Sequence, residues 1–382
     1  MKKICVVIGS RANYSSIKSA MRAIDDHPDL ELQVVVGASA ILERYGSVVA
    51  LIEKDGFKPQ AKVHMLIEGE TPATMAKSTG LALLELPTVF ETLQPDVVLT
   101  VGDRFETMAT TLAAAYMNIV VAHTMGGEVT GTIDESIRHA TTKFAHLHFP
   151  ASKDAQERII KLGEDPDTVH MVGCPRIDLI AEILQNGDGL DDSIFRYGVG
   201  DKVDLEKPFL LVSQHPVTTE FGRGRDQITA TLKAVKSTGL PAIVLWPNAD
   251  AGSEDIAKGI RIWREHGQDE NMHFFKNLPI ATYVQLMQRT ACLVGNSSSG
   301  IREGAFIGTP VVNIGSRQQG RERGPNVMDV DYDHEVIADA ITQQIQHGPY
   351  GMLPIYGNGS AGRKIADILV KADVPLQKRI RY

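Results

Sequence analysis

Two short stretches carry the side chains that could do chemistry. Residues 102–106 read G-D-R-F-E, and residues 123–139 read H-T-M-G-G-E-V-T-G-T-I-D-E-S-I-R-H. They set Asp103, Glu106, Glu128, Asp134 and Glu135 beside His123, Arg104, Arg138 and His139. Carboxylates packed together push one another's pKa values apart, which supplies both an acid and a base near neutral pH. That is a set for proton chemistry. An apolar run precedes each stretch, at 96–101 and 119–122, so both are predicted strand-to-helix turns. Open α/β sheets bind their ligands at such carboxyl ends.

A second set suits an anion. Residues 292–315, C-L-V-G-N-S-S-S-G-I-R-E-G-A-F-I-G-T-P-V-V-N-I-G, read as strand, turn, short helix, strand. The turn N-S-S-S-G offers hydroxyls and free backbone N–H groups at a helix N-terminus, which suit a phosphate or diphosphate. A plain helix cap uses the same residues. Three nearby features favour the anion. Glu303 follows Ser297 and Ser298 on the same predicted helix, placed for ribose hydroxyls, and Arg317 adds a charge-assisted contact. His215, in Q-H-P, follows the predicted strand 209–212, and Asn248, in W-P-N, follows the next one.

The elements that must position these groups alternate. Strands are predicted at 4–8, 32–36, 97–101, 119–122, 147–149 and 169–172, with helices at 15–24, 74–93, 105–117 and 155–162. A polar stretch at 186–192 interrupts them. Strands then resume at 209–212, 242–246, 273–275, 292–294 and 311–314, with helices at 228–235, 256–265, 282–288 and 335–346. This is the pattern of parallel βαβ units. It predicts an α/β protein of two Rossmann-like domains facing a cleft, and 382 residues suffice for two.

Bulk properties exclude several classes. A net charge of −8 without a Lys/Arg block disfavours nucleic-acid binding. No run approaches the roughly 20 apolar residues of a membrane span, and the N-terminal apolar run is too short for a signal peptide; a cytoplasmic protein is expected. Cys5, Cys174 and Cys292 form neither a metal spacing nor a disulfide framework. The first turn, G-S-R-A-N-Y-S-S, lacks the G-x-G-x-x-G of dinucleotide sites. The H-L-H at 146–148 lies in an apolar run and reads as structural.

The ordered motifs S-R-A-N-Y-S, V-G-D-R-F-E, G-G-E-V-T-G-T-I-D-E-S-I-R-H, Q-H-P-V-T-T, P-N-A-D-A-G-S, G-N-S-S-S-G-I-R-E and G-S-R-Q-Q-G-R-E cover nearly the whole chain. In them it resembles the hydrolysing UDP-N-acetylglucosamine 2-epimerases, which include sialic-acid-pathway enzymes. The resemblance implies a GT-B fold. Residues 1–180 would form the sugar side, completed by a C-terminal helix within 362–382, and residues 181–361 the UDP side. It implies that UDP-N-acetylglucosamine and water become UDP and N-acetylmannosamine, with no redox cofactor and no metal needed for the chemistry. It also implies a homodimer or homotetramer. Carried over by motif, Asp103 and Asp134 match acidic positions at the sugar, and Arg104 a phosphate or sugar contact. Arg11, Ser15, His215, Asn248, Ser297, Ser298, Glu303 and Arg317 match the UDP site.

The chain departs from the family pattern at one telling position. Where relatives read H-I-E-G-G-E, this sequence reads H-T-M-G-G-E, so Met125 replaces a candidate catalytic carboxylate. A thioether cannot exchange a proton. Either Glu128 or His123 takes part of the role, or fewer acids are needed, or the substrate or reaction is altered. Two lesser departures, Asn13 and Asn358, each place an amide where relatives often carry Asp. The alternatives are the same reaction on UDP-2,4-diacetamido-2,4,6-trideoxyglucose, a non-hydrolysing 2-epimerase, a GT-B glycosyltransferase, and a nucleotide-sugar-binding protein.

Overall fold

Aliphatic runs without polar alternation become strands covered by helices on both faces. The protein is described by a computed structural model over residues 1–43, 48–68, 71–129, 133–187, 190–247 and 252–381. The chain divides into two units. One comprises Met1–Val129, Ile133–Leu179 and the segment from Tyr356 onward; the other holds Ile180–Ile355.

In the first unit, β1 (Lys2–Ile8), β2 (Leu30–Gly37), β3 (Pro59–Val63), β4 (Val97–Val101), β5 (Val120–Thr124) and β6 (Leu147–Phe149) form a parallel sheet in the order β3-β2-β1-β4-β5-β6. The order reverses between β1 and β4, which makes a topological switch point there. The connecting helices are α1 (Arg11–Ser15), α2 (Lys18–Asp25), α3 (Val48–Lys54), α4 (Pro72–Leu93), α5 (Phe105–Tyr116), α6 (Ile133–Phe144) and α7 (Lys153–Lys161), followed by α8 (Pro175–Asn186). Ile4, Val6 and Ile8 pack under one helical layer, and Cys5 and Val7 under the other.

In the second unit, β7 (Val199–Gly200), β8 (Leu210–Ser213), β9 (Ala242–Leu245), β10 (Met272–Phe275), β11 (Cys292–Gly295), β12 (Val311–Ile314) and β13 (Val327–Val330) follow the order β13-β12-β11-β8-β9-β10-β7. Among the described residues, the short edge strand β7 alone runs antiparallel. The switch point lies between β8 and β11. The helices are α9 (Gly224–Ser237), α10 (Ser253–Glu265), α11 (Ile280–Arg289), α12 (Ser298–Ile307) and α13 (His334–His347).

The last helix, α14 (Ala361–Lys371), belongs to the first unit and packs on α2. The approach is close enough that a Cβ on Gly362 would stand 2.5 Å from the Ser19 carbonyl carbon. Buried Asp178 anchors the junction. Its carboxylate accepts the N–H groups of Ala361 at 3.0 Å and Gly362 at 2.7 Å, and the Ser19 hydroxyl at 2.8 Å. Those N–H groups open a helix and have no partner inside it.

Two expectations need correction. The expected strand 169–172 is not one: Val169 makes a single parallel bridge with His148, and Val172 donates to the Pro150 carbonyl at 3.3 Å. The chain runs beside β6 without a ladder. The expected helix 15–24 is two helices, α1 and α2, separated at Ser16 and Ile17. Within the polar stretch 186–192, residues 188 and 189 lie outside the described residues.

The H-L-H histidines serve structure. His146 Nδ1 accepts the Val121 N–H at 3.1 Å, and its Nε2 meets the Leu376 carbonyl at 3.0 Å. His148 Nε2 meets Glu164 Oε2 at 3.2 Å. Among the described residues, no helix is long and apolar enough to cross a membrane.

Candidate active site

The first unit gathers its acids and bases where β1, β4 and β5 end. Gly102 follows β4, and its carbonyl accepts from His123 Nε2 at 2.7 Å. His123 is buried, and burial lowers its pKa to about 4 against the pull of that carbonyl, with His148 and His139 adding repulsion. It is therefore a neutral imidazole at pH 7, donating from Nε2 and tying the β4 turn to β5. Its Nδ1 has no hydrogen-bond partner among the described residues and lies against Gly126, where an added Cβ would stand 3.0 Å from it.

Asp103 forms an ion pair with Arg138, which α6 presents from a site 3% exposed. Arg138 Nη1 also donates to the Glu128 carbonyl at 2.8 Å. One guanidinium thus joins the β4 turn, the β5 turn and α6. Asp134 sits in the first turn of α6, where the helix dipole favours a negative charge. Glu128 is buried three residues past Met125. Met125 itself takes a left-handed backbone, φ 61°, and donates its N–H to the Phe149 carbonyl at 3.0 Å. That conformation costs an L-residue roughly 1–2 kcal/mol.

The β1 turn completes the edge. Ser10 caps α1, Arg11 is exposed, and Ser15 Oγ accepts from Arg176 at 3.1 Å. Asn13 explains its departure from the family pattern: its Nδ2 donates to the Val101 carbonyl at 3.0 Å while Oδ1 accepts the Gly9 N–H at 3.3 Å. A carboxylate could make only the second bond. Arg104 stands at the residue before α5, without a side-chain cap, and reaches Glu106 Oε1 with Nε at 3.2 Å.

In the second unit, the turns after β8 and β11 flank the switch point. Buried Asn296 clamps them together: its Oδ1 accepts the His215 N–H at 2.7 Å, and its Nδ2 donates to the His215 carbonyl at 2.9 Å. Ser297 caps α12 and Ser298 begins it. Behind them runs a chain of hydroxyls, Ser297 Oγ to Ser299 Oγ at 2.8 Å and on to Tyr283 Oη at 2.6 Å. Burial, with the charge of Glu303 adding to it, raises the Tyr283 pKa above its ordinary value, so the phenol stays protonated. Glu303 is buried one turn into α12. Arg317 donates to the Asn296 carbonyl at 3.2 Å, and Gln318 does so at 2.9 Å.

The first unit therefore brings together Asp103, Arg104, His123, Glu128 and Asp134, with Arg11 and Ser15 on the β1 turn. The second brings together His215, Ser297, Ser298, Glu303 and Arg317. Asn248 lies outside the described residues. Sequence reasoning gave no role to Asn296 or Tyr283. The only signal was Asn296 standing before a serine run.

An acid–base cluster at one switch point and a capped helix N-terminus at another, on two doubly wound sheets, define a GT-B enzyme of the nucleotide-sugar class. The chain belongs to the UDP-N-acetylglucosamine 2-epimerase family, whose sequence model matches residues 22–370, and it is a UDP-sugar 2-epimerase. It is 33% identical to UDP-N,N'-diacetylbacillosamine 2-epimerase (hydrolyzing) of Legionella pneumophila, over 100% of this chain and 98% of that one. It is 29% identical to UDP-N-acetylglucosamine 2-epimerase of Neisseria meningitidis, over 92% and 89%. A crystal structure of UDP-GlcNAc 2-epimerase from Neisseria meningitidis bound to UDP-GlcNAc superposes with a TM-score of 0.82 at 19% identity, covering 97% of this chain and 100% of that one. At that identity the likeness concerns the fold.

Proposed function

We propose that this enzyme hydrolyses UDP-N-acetylglucosamine to UDP and N-acetylmannosamine. The observation that carries the reading is the cluster at the β4 and β5 turns, where Asp103, Glu128 and Asp134 share one edge with Arg104 and Arg138. As the C1–O bond to UDP breaks, C1 gains oxocarbenium character and the C2 proton becomes acidic. A base removes it and leaves a 2-acetamidoglucal. Water then adds at C1 while a proton returns to C2 from the opposite face, inverting that centre. Such steps need an acid, a base and stabilisation of the leaving diphosphate.

Asp103 and Asp134 are the groups assigned to the sugar, with Glu128 in support. Neutral His123 orients the β4 turn. The α12 N-terminus with Ser297 and Ser298, together with His215 and Arg317, receives the diphosphate, while Glu303 meets the ribose and Arg11, Ser15 and Arg104 add contacts. Asn248 joins the UDP site by motif alone. A homodimer or homotetramer belongs to the same reading.

A second reading keeps the reaction and changes the sugar to UDP-N,N'-diacetylbacillosamine, favoured by the full-length similarity to the Legionella pneumophila protein. Incubation with each UDP-sugar in D2O, followed by proton NMR, separates the two. Free UDP with N-acetylmannosamine deuterated at C2 supports the leading reading. Turnover of the diacetamido sugar alone transfers it to the second. Formation of UDP-N-acetylmannosamine without free sugar refutes hydrolysis.

A further inference from the structure

Ser297 stands half-buried at the turn after β11, and Ser299 is buried in the first turn of α12. Tyr283 of α11 reaches the same pair. Its Oη lies 2.6 Å from Ser299 Oγ, which in turn lies 2.8 Å from Ser297 Oγ. The Ser299 N–H also donates to Ser297 Oγ, at 3.4 Å. Three hydroxyls bring three protons to two links, so one O–H is left to point away from the chain. Which one it is decides what the turn offers a ligand.

Acidity sets the proton order. A phenol, with a pKa near 10, is a stronger donor and a weaker acceptor than an aliphatic hydroxyl. The Tyr283 contact is shorter than the O–H···O mode of about 2.7–2.8 Å, as a phenol donor gives. The phenol also keeps its proton: burial opposes ionisation and the charge of Glu303 adds to that, against the hydrogen bond with Ser299. With Tyr283 donating, Ser299 Oγ accepts, and its own proton goes to Ser297 Oγ. Ser297 then accepts both the hydroxyl and the N–H of Ser299, which fills its two lone pairs. Its own O–H is the one left over, and it points out of the chain at the half-buried turn. Each link polarises the next, so the last donor is strengthened.

We propose that Tyr283 is a positioning residue that fixes the Ser297 hydroxyl as a donor to the diphosphate; this rests on the reading of the α12 N-terminus as the diphosphate seat. Without the phenol, Ser297 is free to turn its proton inward onto Ser299 Oγ and present a lone pair to the anion. The two arrangements differ in sign, since a donor stabilises phosphate oxygens and a lone pair repels them. Negative charge grows on the diphosphate as the C1–O bond breaks, so a donor already fixed in place favours departure as well as binding.

The test uses Tyr283→Phe, which keeps the ring and deletes the hydroxyl, with Kd values measured for UDP and for uridine, its phosphate-free counterpart. The Kd for UDP is expected to rise about tenfold, on the scale of one lost hydrogen bond to a charged group. The Kd for uridine should stay within about twofold. Ser299→Ala, which cuts the chain at its middle, should give the same split. In a Ser297→Ala background, Tyr283→Phe should change UDP affinity by less than about twofold, because the hydroxyl it orients is gone. A UDP Kd within about twofold of wild type in both Tyr283→Phe and Ser299→Ala overturns the proposal. So does an equal loss for uridine, which makes Tyr283 a packing residue, and so does a loss that Ser297→Ala leaves undiminished.

Neutron diffraction from crystals grown in D2O reads the chain without a ligand. Deuterons are expected on Tyr283 Oη toward Ser299 and on Ser299 Oγ toward Ser297. A deuteron on Ser297 Oγ aimed at Ser299 refutes the proposal even if UDP binds. Wild type that binds no UDP refutes the diphosphate reading of the turn, and the deuteron order still decides whether Tyr283 fixes the Ser297 hydroxyl.

Discussion

Arg138 of α6 pairs with Asp103 of the β4 turn while its other arm holds the Glu128 carbonyl. This single buried guanidinium sets the distance between two turns and the helix that carries Asp134. Breaking a buried pair by removing one partner leaves the other charge desolvated, at a cost of roughly 3–5 kcal/mol. Arg138→Met is expected to lose about that much stability in urea unfolding, and kcat should fall with it. A stability change under about 1 kcal/mol would show that Asp103 finds another partner.

Asp134 separates chemistry from binding. Asp134→Asn removes its basicity while leaving an oxygen near the helix N-terminus. UDP release is expected to slow by about 100-fold or more, with UDP affinity held. Isothermal titration with UDP alongside a coupled UDP-release assay checks both halves. Unchanged turnover removes Asp134 from the mechanism.

Asn296 and Arg317 are expected to report on the nucleotide side. Arg317→Ala deletes a charge placed beside the capped α12 terminus, and the Kd for UDP should rise about tenfold, equivalent to about 1.4 kcal/mol. Asn296→Ala removes the side-chain clamp between the β8 and β11 turns, since the Asn296 amide holds both His215 backbone groups, while its backbone carbonyl, which takes Arg317 and Gln318, remains. Leaving those buried groups unpaired costs about 1–3 kcal/mol. A thermal unfolding midpoint equal to wild type would contradict this.

The pairing of Lys378, in the segment after α14, with Glu164 predicts an acid-dependent stability. Burial pushes the Glu164 carboxyl up, but hydrogen bonds from His148, Lys143 at 2.6 Å and Lys378 at 2.6 Å bring its pKa down to about 2, from an ordinary 4.5. A lowered folded pKa stabilises fully above pH 4.5 and loses that contribution as pH falls toward 2. The gap between wild type and Glu164→Gln should therefore be on the order of 2–3 kcal/mol at pH 7 and close between pH 4.5 and 2. Urea unfolding at several pH values measures it. A gap independent of pH would mean that packing, and not charge, holds the segment after α14 in place.

What the sequence determined by itself was periodicity and punctuation. Apolar runs such as those around Val98 and Val294 could only be buried parallel strands, and the turns after them had to carry the polar groups. The doubly wound order and both clusters follow from that. Edges were harder to read. β3, with Lys62 and Gln60 among its residues, and the two-residue β7 carry little apolar signal. Their pairing is set by the neighbouring strand, which a local pattern cannot contain.

Tertiary structure decided what each polar side chain does. Asn13 reads as a lost carboxylate until the Val101 carbonyl stands opposite its amide. His123 reads as an acid–base candidate until burial makes it a neutral imidazole whose Nε2 donates to the Gly102 carbonyl. Glu106 reads as one acid among five until Gly9 closes over it. Composition and spacing name the groups. Protonation depends on desolvation and on charges brought close from distant sequence, and only the fold supplies those.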